Sequence, residues 1–276
     1  MELFKGSTTA FFFKLFSVIS GYIFFYAVAR LYGAHELGLF STCFTIVMIS
    51  SIIGKLGMDT SIVRFIAEIV ADEKDTGLIK TYKTGLLIVL FSSIIIGSII
   101  ALFSEPLSLL FFESAHEAHY ITMIGFSTIP FSIMSYNAES LRALKKIAKY
   151  SFFQNGSIFL GTLLVSLLFL YFLTENSYLI LSFAIAVTFL MILSFWLLLK
   201  EMKVFRSDKK SRNIYPVRKI FRISIPMMFS NSLFLIMNWT DILMLSYFSD
   251  EAIVGIYNTA VKVAALNSVA LIAINS

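Results

Sequence analysis

"ARLYGAHELGLFSTCF" (Ala29–Phe44) leaves one apolar run, crosses a short polar corner and re-enters apolar sequence at Gly-Leu-Phe. "SYFSDEAIVGIYNTAV" (Ser246–Val261) does the same and re-enters at Gly-Ile-Tyr. Aligned on Gly38 and Gly255, Leu37 falls on Val254, Phe40 on Tyr257 and Thr42 on Thr259, an offset of 217 residues (255 − 38). A chain of 276 residues that makes one corner twice reads as a repeat, and the corner marks where each copy turns.

The sequence around these corners is 58% hydrophobic and 14% charged, with a mean hydropathy of +0.85. Soluble domains carry about 25% charged residues. Too little polar sequence is present to cover a water-facing surface, so lipid is the expected solvent. The single cysteine, Cys43, excludes an internal disulfide and any multi-cysteine metal site, and its apolar run makes it a small buried hydrophobe. The first apolar run is too long for a signal-peptide core and is expected to remain as a membrane helix.

A bilayer needs about 20 apolar residues per helix. Runs of that kind lie near residues 8–31, 38–57, 84–103, 121–141, 151–173, 177–199, 223–245 and 254–274. The expected fold class is an all-α integral membrane protein with about eight transmembrane helices. Pro130 lacks a backbone donor, so a kink is expected in the fourth.

Basic residues orient the spans. One side collects Lys5; Arg64, Lys74, Lys80 and Lys83; Arg142, Lys145, Lys146 and Lys149; and nine more from Lys200 to Arg222, eighteen in all. The other side has Arg30 alone, with Lys14, Lys55 and Lys262 inside spans. The positive-inside rule then places the N-terminus and the basic loops in the cytoplasm. The net charge of +5 is a topology signal and implies no nucleic-acid partner.

Two segments on the basic side stand out. "DTSIVRFIAEIVADEKD" (Asp59–Asp75) has apolar residues at 62, 65, 66, 69 and 70, opposite Arg64, Glu68 and Asp72. It is expected as an amphipathic helix along the membrane surface, the alternative being a solvated extension of span two. Lys200–Arg222 is the one long polar linker, and its charge density and Pro216 mark a boundary between two units. The repeated corners join spans one and two and spans seven and eight. Six helices, an even number, separate corresponding positions, so the repeat is parallel. Such repeats build transporters whose substrate site lies between two units that rock against each other.

"ARLYGAHELGLFS", "GKLGMDTSIVRFIA", "LRALKK" and "ISIPMMFSNSLFLIMNWTDILMLSYFSDEAIVGIYNTAVKV" together resemble the polysaccharide-biosynthesis flippases. These are O-antigen and lipid-linked-oligosaccharide exporters within the multidrug, oligosaccharidyl-lipid and polysaccharide exporter superfamily. Members of that family are similar to two six-helix lobes, whereas this sequence stops at "ALNSVALIAINS", near the end of span eight. The expectation is one complete lobe (residues 1–199), a basic cytoplasmic linker (200–222) and the first helix pair of a second lobe (223–276). That is either a fragment of a longer protein or a truncated product. The implied location is the bacterial cytoplasmic membrane.

The resemblance implies a cargo of sugars on an undecaprenyl diphosphate carrier, handled among membrane lipids. Diphosphate and sugar hydroxyls cannot cross hydrocarbon unaided, because each unpaired polar group costs several kcal/mol and a bare charge far more. Candidate binding residues are therefore polar groups at membrane depth: Lys14 in span one, Arg30 at its outer end, Asp241 and Asn238 in span seven, and Lys262 in span eight. Asp241 and Lys262 fall within one helical turn of each other in depth and are expected to pair or to share cavity water.

Plainer readings stand beside these. Lys14 and Lys55 are placed to snorkel to the headgroups, the second more so, and Arg30 to anchor the interface. Glu139 and Asn137 lie near the inner end of span four, facing either headgroups or cavity. Asn231, Asn238, Gln154 and Asn155 serve equally well as interhelical hydrogen-bond glue.

The sequence has no G-x-x-x-x-G-K-[ST] phosphate loop, no legible nucleophile–base set and no sign of a cofactor. His116 and His119, near Glu113 and Glu117, read as an exposed pH-sensitive loop before a weak metal site. An ion gradient (H⁺ or Na⁺), the membrane potential or consumption of the cargo would then drive transport. The competing functions are a multidrug–cation antiporter, disfavoured because embedded cations outnumber buried acids, and a non-transporting membrane scaffold. A polymerase or glycosyltransferase ranks lower still, for want of a large outer loop.

Overall fold

Among the described residues, each of the eight apolar runs is helical over most of its length in the computed structural model, which describes residues 2–71, 77–154, 156–172, 178–202 and 215–274. The side chains of residues 2–11, 13–15, 17, 71, 234–236, 238 and 265–274 lie outside that description, although their backbone is helical. In order, the helices are α1 (Glu2–Leu31), α2 (Gly33–Lys55), α3 (Met58–Ala71), α4 (Leu78–Leu102), α5 (Ser104–Phe112) and α6 (Ala118–Ala143). They continue as α7 (Ile147–Gln154), α8 (Ser157–Phe172), α9 (Leu179–Met202), α10 (Val217–Phe248) and α11 (Glu251–Ile274). A short 3₁₀ turn, Ala115–Glu117, precedes α6. No strand occurs among the described residues.

The protein is an all-α membrane protein. By length and composition α2, α4 and α9 each suffice to cross a bilayer, and α7 with α8 forms a fourth candidate whose two halves meet at 53°. Large apolar side chains face outward along these helices, among them Phe91 and Ile95 on α4, Leu164 on α8, and Phe189 and Trp196 on α9. Exposed to water, each would forfeit the roughly 1.5–3 kcal/mol that its burial supplies; lipid removes that cost.

The centre of the bundle is α6, packed against α2, α3, α4, α7 and α9. Its sequence is too polar to pass as a simple span, because its polar side chains point inward: Ser127, Thr128, Ser132, Ser135, Asn137, Glu139 and Ser140 are all buried. Asn137 receives the Tyr82 hydroxyl at 2.7 Å and donates to Ser194 at 3.0 Å, tying α4, α6 and α9 together. It acts as interhelical glue in the interior of the bundle. Pro130 is accommodated inside α6, which stays one helix.

Two expectations change at the end of α2. Leu56 (φ 49°) and Gly57 (φ 69°) adopt left-handed backbone and stop the helix, so α3 is no extension of it. A Cβ on Gly57 would collide with the Ser224 carbonyl of α10, which adds a steric reason for glycine. The α3 helix then buries Ile62, Phe65, Ile66 and Ile69 within the protein, against α4, α6 and α10, and not along a membrane surface. Ser224 Oγ donates to Ser61 at 2.7 Å, and Tyr215 packs on Phe65 at 4.7 Å between ring centroids. The apolar stripe was real; its partner is protein. Lys55, expected to snorkel, is instead buried and ion-paired with Asp59 at 2.8 Å.

Candidate functional site

The two copies of the corner lie face to face. A Cβ on Gly38 would collide with the Glu251 carbonyl, and one on Gly255 with the Ala34 carbonyl. Since 34 + 217 = 251 and 38 + 217 = 255, the contact is reciprocal, the pattern a two-fold relation between copies produces. Small residues are what allow helix backbones to approach so closely in a membrane. Alongside, Asn258 Nδ2 donates to Ser41 Oγ at 2.6 Å and Thr42 Oγ1 to Ser246 Oγ at 3.0 Å. His35 Nε2 stands 3.8 Å from Glu251 Oε2 at the rim. The corner end of α2 is thereby sealed against α10 and α11.

Farther along α11, the Lys262 ammonium sits 5.4 Å from the centre of the Phe25 ring and 5.6 Å from that of Trp239. Cation–π attraction of this kind is worth about 0.5–2 kcal/mol, more when water is excluded. Among the described residues no hydrogen bond or ion pair from that ammonium is present, and the Asp241 carboxylate attracts it at longer range. Tyr22 donates its hydroxyl to the Lys262 carbonyl, and Trp239 packs edge-on against Phe44 at 5.6 Å. Asp241 engages Tyr257: the phenol donates to Oδ2 at 2.8 Å, and Oδ1 accepts the Ile242 N–H at 2.9 Å. The direct partner of Asp241 is thus a repeat-corner tyrosine, with Lys262 held by rings nearby. Arg30 is exposed at the corner end of α1, 5.9 Å from the Tyr26 ring centre. Lys14 and Asn238 lie outside the described side chains.

At the opposite, basic end the helices part around a cavity of about 310 Å³. Its polar lining is Asp59 and Thr60 from α3, Glu139 and Arg142 from α6, and Asn231 from α10. Lys55 Nζ also donates to Ser135 Oγ at 3.1 Å, and Asp59 Oδ1 accepts the Thr60 N–H at 2.8 Å. Glu139 pairs with Arg142 Nε at 2.9 Å and accepts from Gln154 at 3.0 Å. Asn231 donates to Thr60 Oγ1 at 2.7 Å across the α3–α10 seam. Burial alone would raise the Asp59 carboxyl, but the Lys55 ammonium and the Thr60 donors outweigh it and hold it below the usual carboxylate range.

Of the cavity groups, the sequence offers Glu139 and Asn231 as polar candidates, whereas Asp59 and Arg142 stand in it as parts of an amphipathic helix and a basic loop. For Arg142 the signal was helical spacing, since Glu139 stands three residues before it on α6; Lys55 and Asp59 meet across the left-handed turn at Leu56–Gly57, which leaves no such signal. Neither histidine of the 116–119 loop joins a metal set, as the described residues include no group of three or more metal-ligating side chains.

A family model described as "Polysaccharide biosynthesis protein" matches residues 3–276. No curated protein matches the chain, and neither does any solved structure.

Proposed function

The chain belongs to the polysaccharide biosynthesis protein family, and from that premise we propose that it carries undecaprenyl-diphosphate-linked saccharide units across the bacterial cytoplasmic membrane by alternating access. The observation that carries this reading is the contrast between the two ends of the bundle. A polar cavity lies at the basic end, while glycine-on-glycine packing closes the corner end. The eighteen basic residues on one side support a cytoplasmic basic end, so the cavity would receive cargo where it is made.

In this reading residues 1–199 form one lobe, 200–222 a linker and 223–276 the opening helix pair of a second lobe, related to the first through the reciprocal corners. The lipid tail remains in hydrocarbon while the headgroup passes along a polar path. Lys262, held between the Phe25 and Trp239 rings, attracts the diphosphate, and Lys14 and Arg30 supply further positive charge toward either end. Asp241 with Tyr257, and Asn238, offer acceptors and donors for hydroxyls along the same path. A proton or sodium gradient is the proposed drive.

Deleting the gene from its host tests the proposal. Lipid-linked repeat units should accumulate at the inner leaflet and surface polysaccharide should fall. Normal surface polysaccharide in that strain would overturn it.

A further inference from the structure

We propose that the groove between α8 and α9 binds an acidic phospholipid, with one acyl chain in the groove and the phosphate on the lysines at its basic end. This lipid is a resident of the protein and is separate from any cargo.

The groove has a volume of about 440 Å³ and is walled by Phe152 of α7, Leu160 and Leu164 of α8, and Phe189 and Leu193 of α9. Small residues make its floor: a Cβ on Gly161 would stand 3.4 Å from the Ala186 Cβ, so no larger side chain fills the space between the helices. Leu164 and Phe189, each 63% exposed, leave it open on the outer face of the bundle. Along α8 the lining runs from Ser157 to Val165, eight residues (165 − 157) or about 12 Å of helix. Half of a hydrocarbon core is about 15 Å. The groove therefore has the length of one leaflet and suits a single acyl chain, which the much longer undecaprenyl chain would overrun.

An apolar groove accepts any chain, so the groups at its end choose the headgroup. Lys149 stands three residues before Phe152 on α7, and Lys200 seven after Leu193 on α9, so each shares a helix face with a groove residue. Glu201 draws the two helix ends together, pairing with Lys146 at 3.0 Å and also with Lys149. The Lys200 ammonium lies 5.8 Å from the ring centre of the exposed Trp196, an aromatic of the kind that sits at headgroup level. Three ammoniums thus stand against one carboxylate, leaving two positive charges over the groove. An acidic headgroup complements that excess, whereas a zwitterionic one brings a further ammonium into it. Basic pockets between helices on the cytoplasmic side select anionic lipids in this way.

A second observation lies inside the groove. Ser157 is its one polar side chain, only 4% exposed, and among the described residues its hydroxyl has no hydrogen-bond partner. Thr162 and Ser166 farther along α8 donate to carbonyls of their own helix. Ser157 opens α8 and has no earlier turn of it to use. A buried hydroxyl left unpaired is costly, and the ester carbonyl of a lipid whose chain enters below it supplies the acceptor.

The test uses the full chain in phosphatidylcholine nanodiscs. Trp196→Phe and Trp239→Phe remove both native tryptophans, and Phe189→Trp places a reporter in the groove. The probes are phosphatidylglycerol and phosphatidylcholine brominated at mid-chain, each titrated in as a minor component. Brominated phosphatidylglycerol should quench the reporter saturably, with a midpoint about 25-fold lower than the phosphatidylcholine, or about fivefold for each of two net charges. Lys149→Gln and Lys200→Gln should each raise that midpoint by about fivefold. Val165→Phe, and separately Gly161→Leu, should fill the groove and abolish the saturable phase. Equal quenching by the two lipids would overturn the proposal, as would phosphatidylglycerol quenching that survives both lysine changes or both fillers. Absence of saturable quenching at Phe189→Trp and at a second reporter, Leu164→Trp, would do the same. Displacement of the phosphatidylglycerol by an equimolar amount of undecaprenyl phosphate would also overturn it, since the groove would then belong to the carrier.

Discussion

Ser41 and Asn258 share a hydrogen bond of 2.6 Å although 217 residues separate them, the same interval that separates Gly38 from Gly255. Equivalent positions of the two corners therefore meet each other. Residues on or beside such an axis have no room to change independently, because a side chain added to one copy enters the backbone of the other.

Gly38→Val should accordingly disrupt the corner seal. Forced overpacking costs about 1–3 kcal/mol where neighbours can shift, and here the obstacle is the Glu251 backbone, which cannot rotate away. Gly21, whose Cβ would meet nothing within 4 Å, is the control: Gly21→Ala should leave the protein intact or stabilise it by about 0.5–1 kcal/mol. Thermal unfolding in detergent of the two variants, run side by side, checks the contrast.

Removing one member of the Lys55–Asp59 pair should be severe. A buried charge left without its partner costs about 3–5 kcal/mol, so Lys55→Met should lower the unfolding midpoint far more than Arg64→Met, whose pair with Glu68 is exposed. The measurement is again thermal unfolding, and equal effects of the two changes would refute the burial argument.

Acid should act on that pair in one direction. The folded Asp59 carboxyl lies below its ordinary value, so its stabilising contribution is complete above an unfolded pKa of about 3.9 and is lost as pH falls through the lower folded value. The stability gap between wild type and Asp59→Asn should stay constant from about pH 7 to 5 and narrow below about pH 4. A gap that already closes near neutrality would show that Asp59 is not held ionised.

Lys262→Met should reduce transport with little effect on folding, since the rings around it tolerate an apolar chain of similar length. One charge-assisted hydrogen bond to a diphosphate is worth about 1.5–3 kcal/mol, or roughly 10- to 150-fold in rate or affinity. Lys262→Arg should retain part of the activity. Complementation of a deletion strain, scored by surface polysaccharide, separates the outcomes, and full activity of Lys262→Met would remove this residue from the path.

The helices were legible because a run of about twenty apolar residues needs no distant partner to declare itself. The paired corners were legible because their glycines and flanking residues stand at one fixed interval in the sequence. The cavity was not, because Asp59 and Glu139 are brought together only by the central course of α6, which no local pattern announces. Lys55 misled because a lysine at a helix end ordinarily reaches for water, and nothing local reveals that the turn at Leu56–Gly57 sets Asp59 beside it. The α3 stripe likewise states that something apolar covers it without stating what.

Reciprocal corners also impose an order on biosynthesis. When α2 enters the bilayer, the surface of Gly38 that will receive α11 has no counterpart until the ribosome has added 217 further residues. At about 5–20 residues per second that is roughly 10–40 s of translation. Throughout that wait a bare glycine seam faces lipid and is open to quality-control proteases, so defects at the corner should surface first as shortened lifetime of the nascent chain, before any mature molecule is made to be assayed.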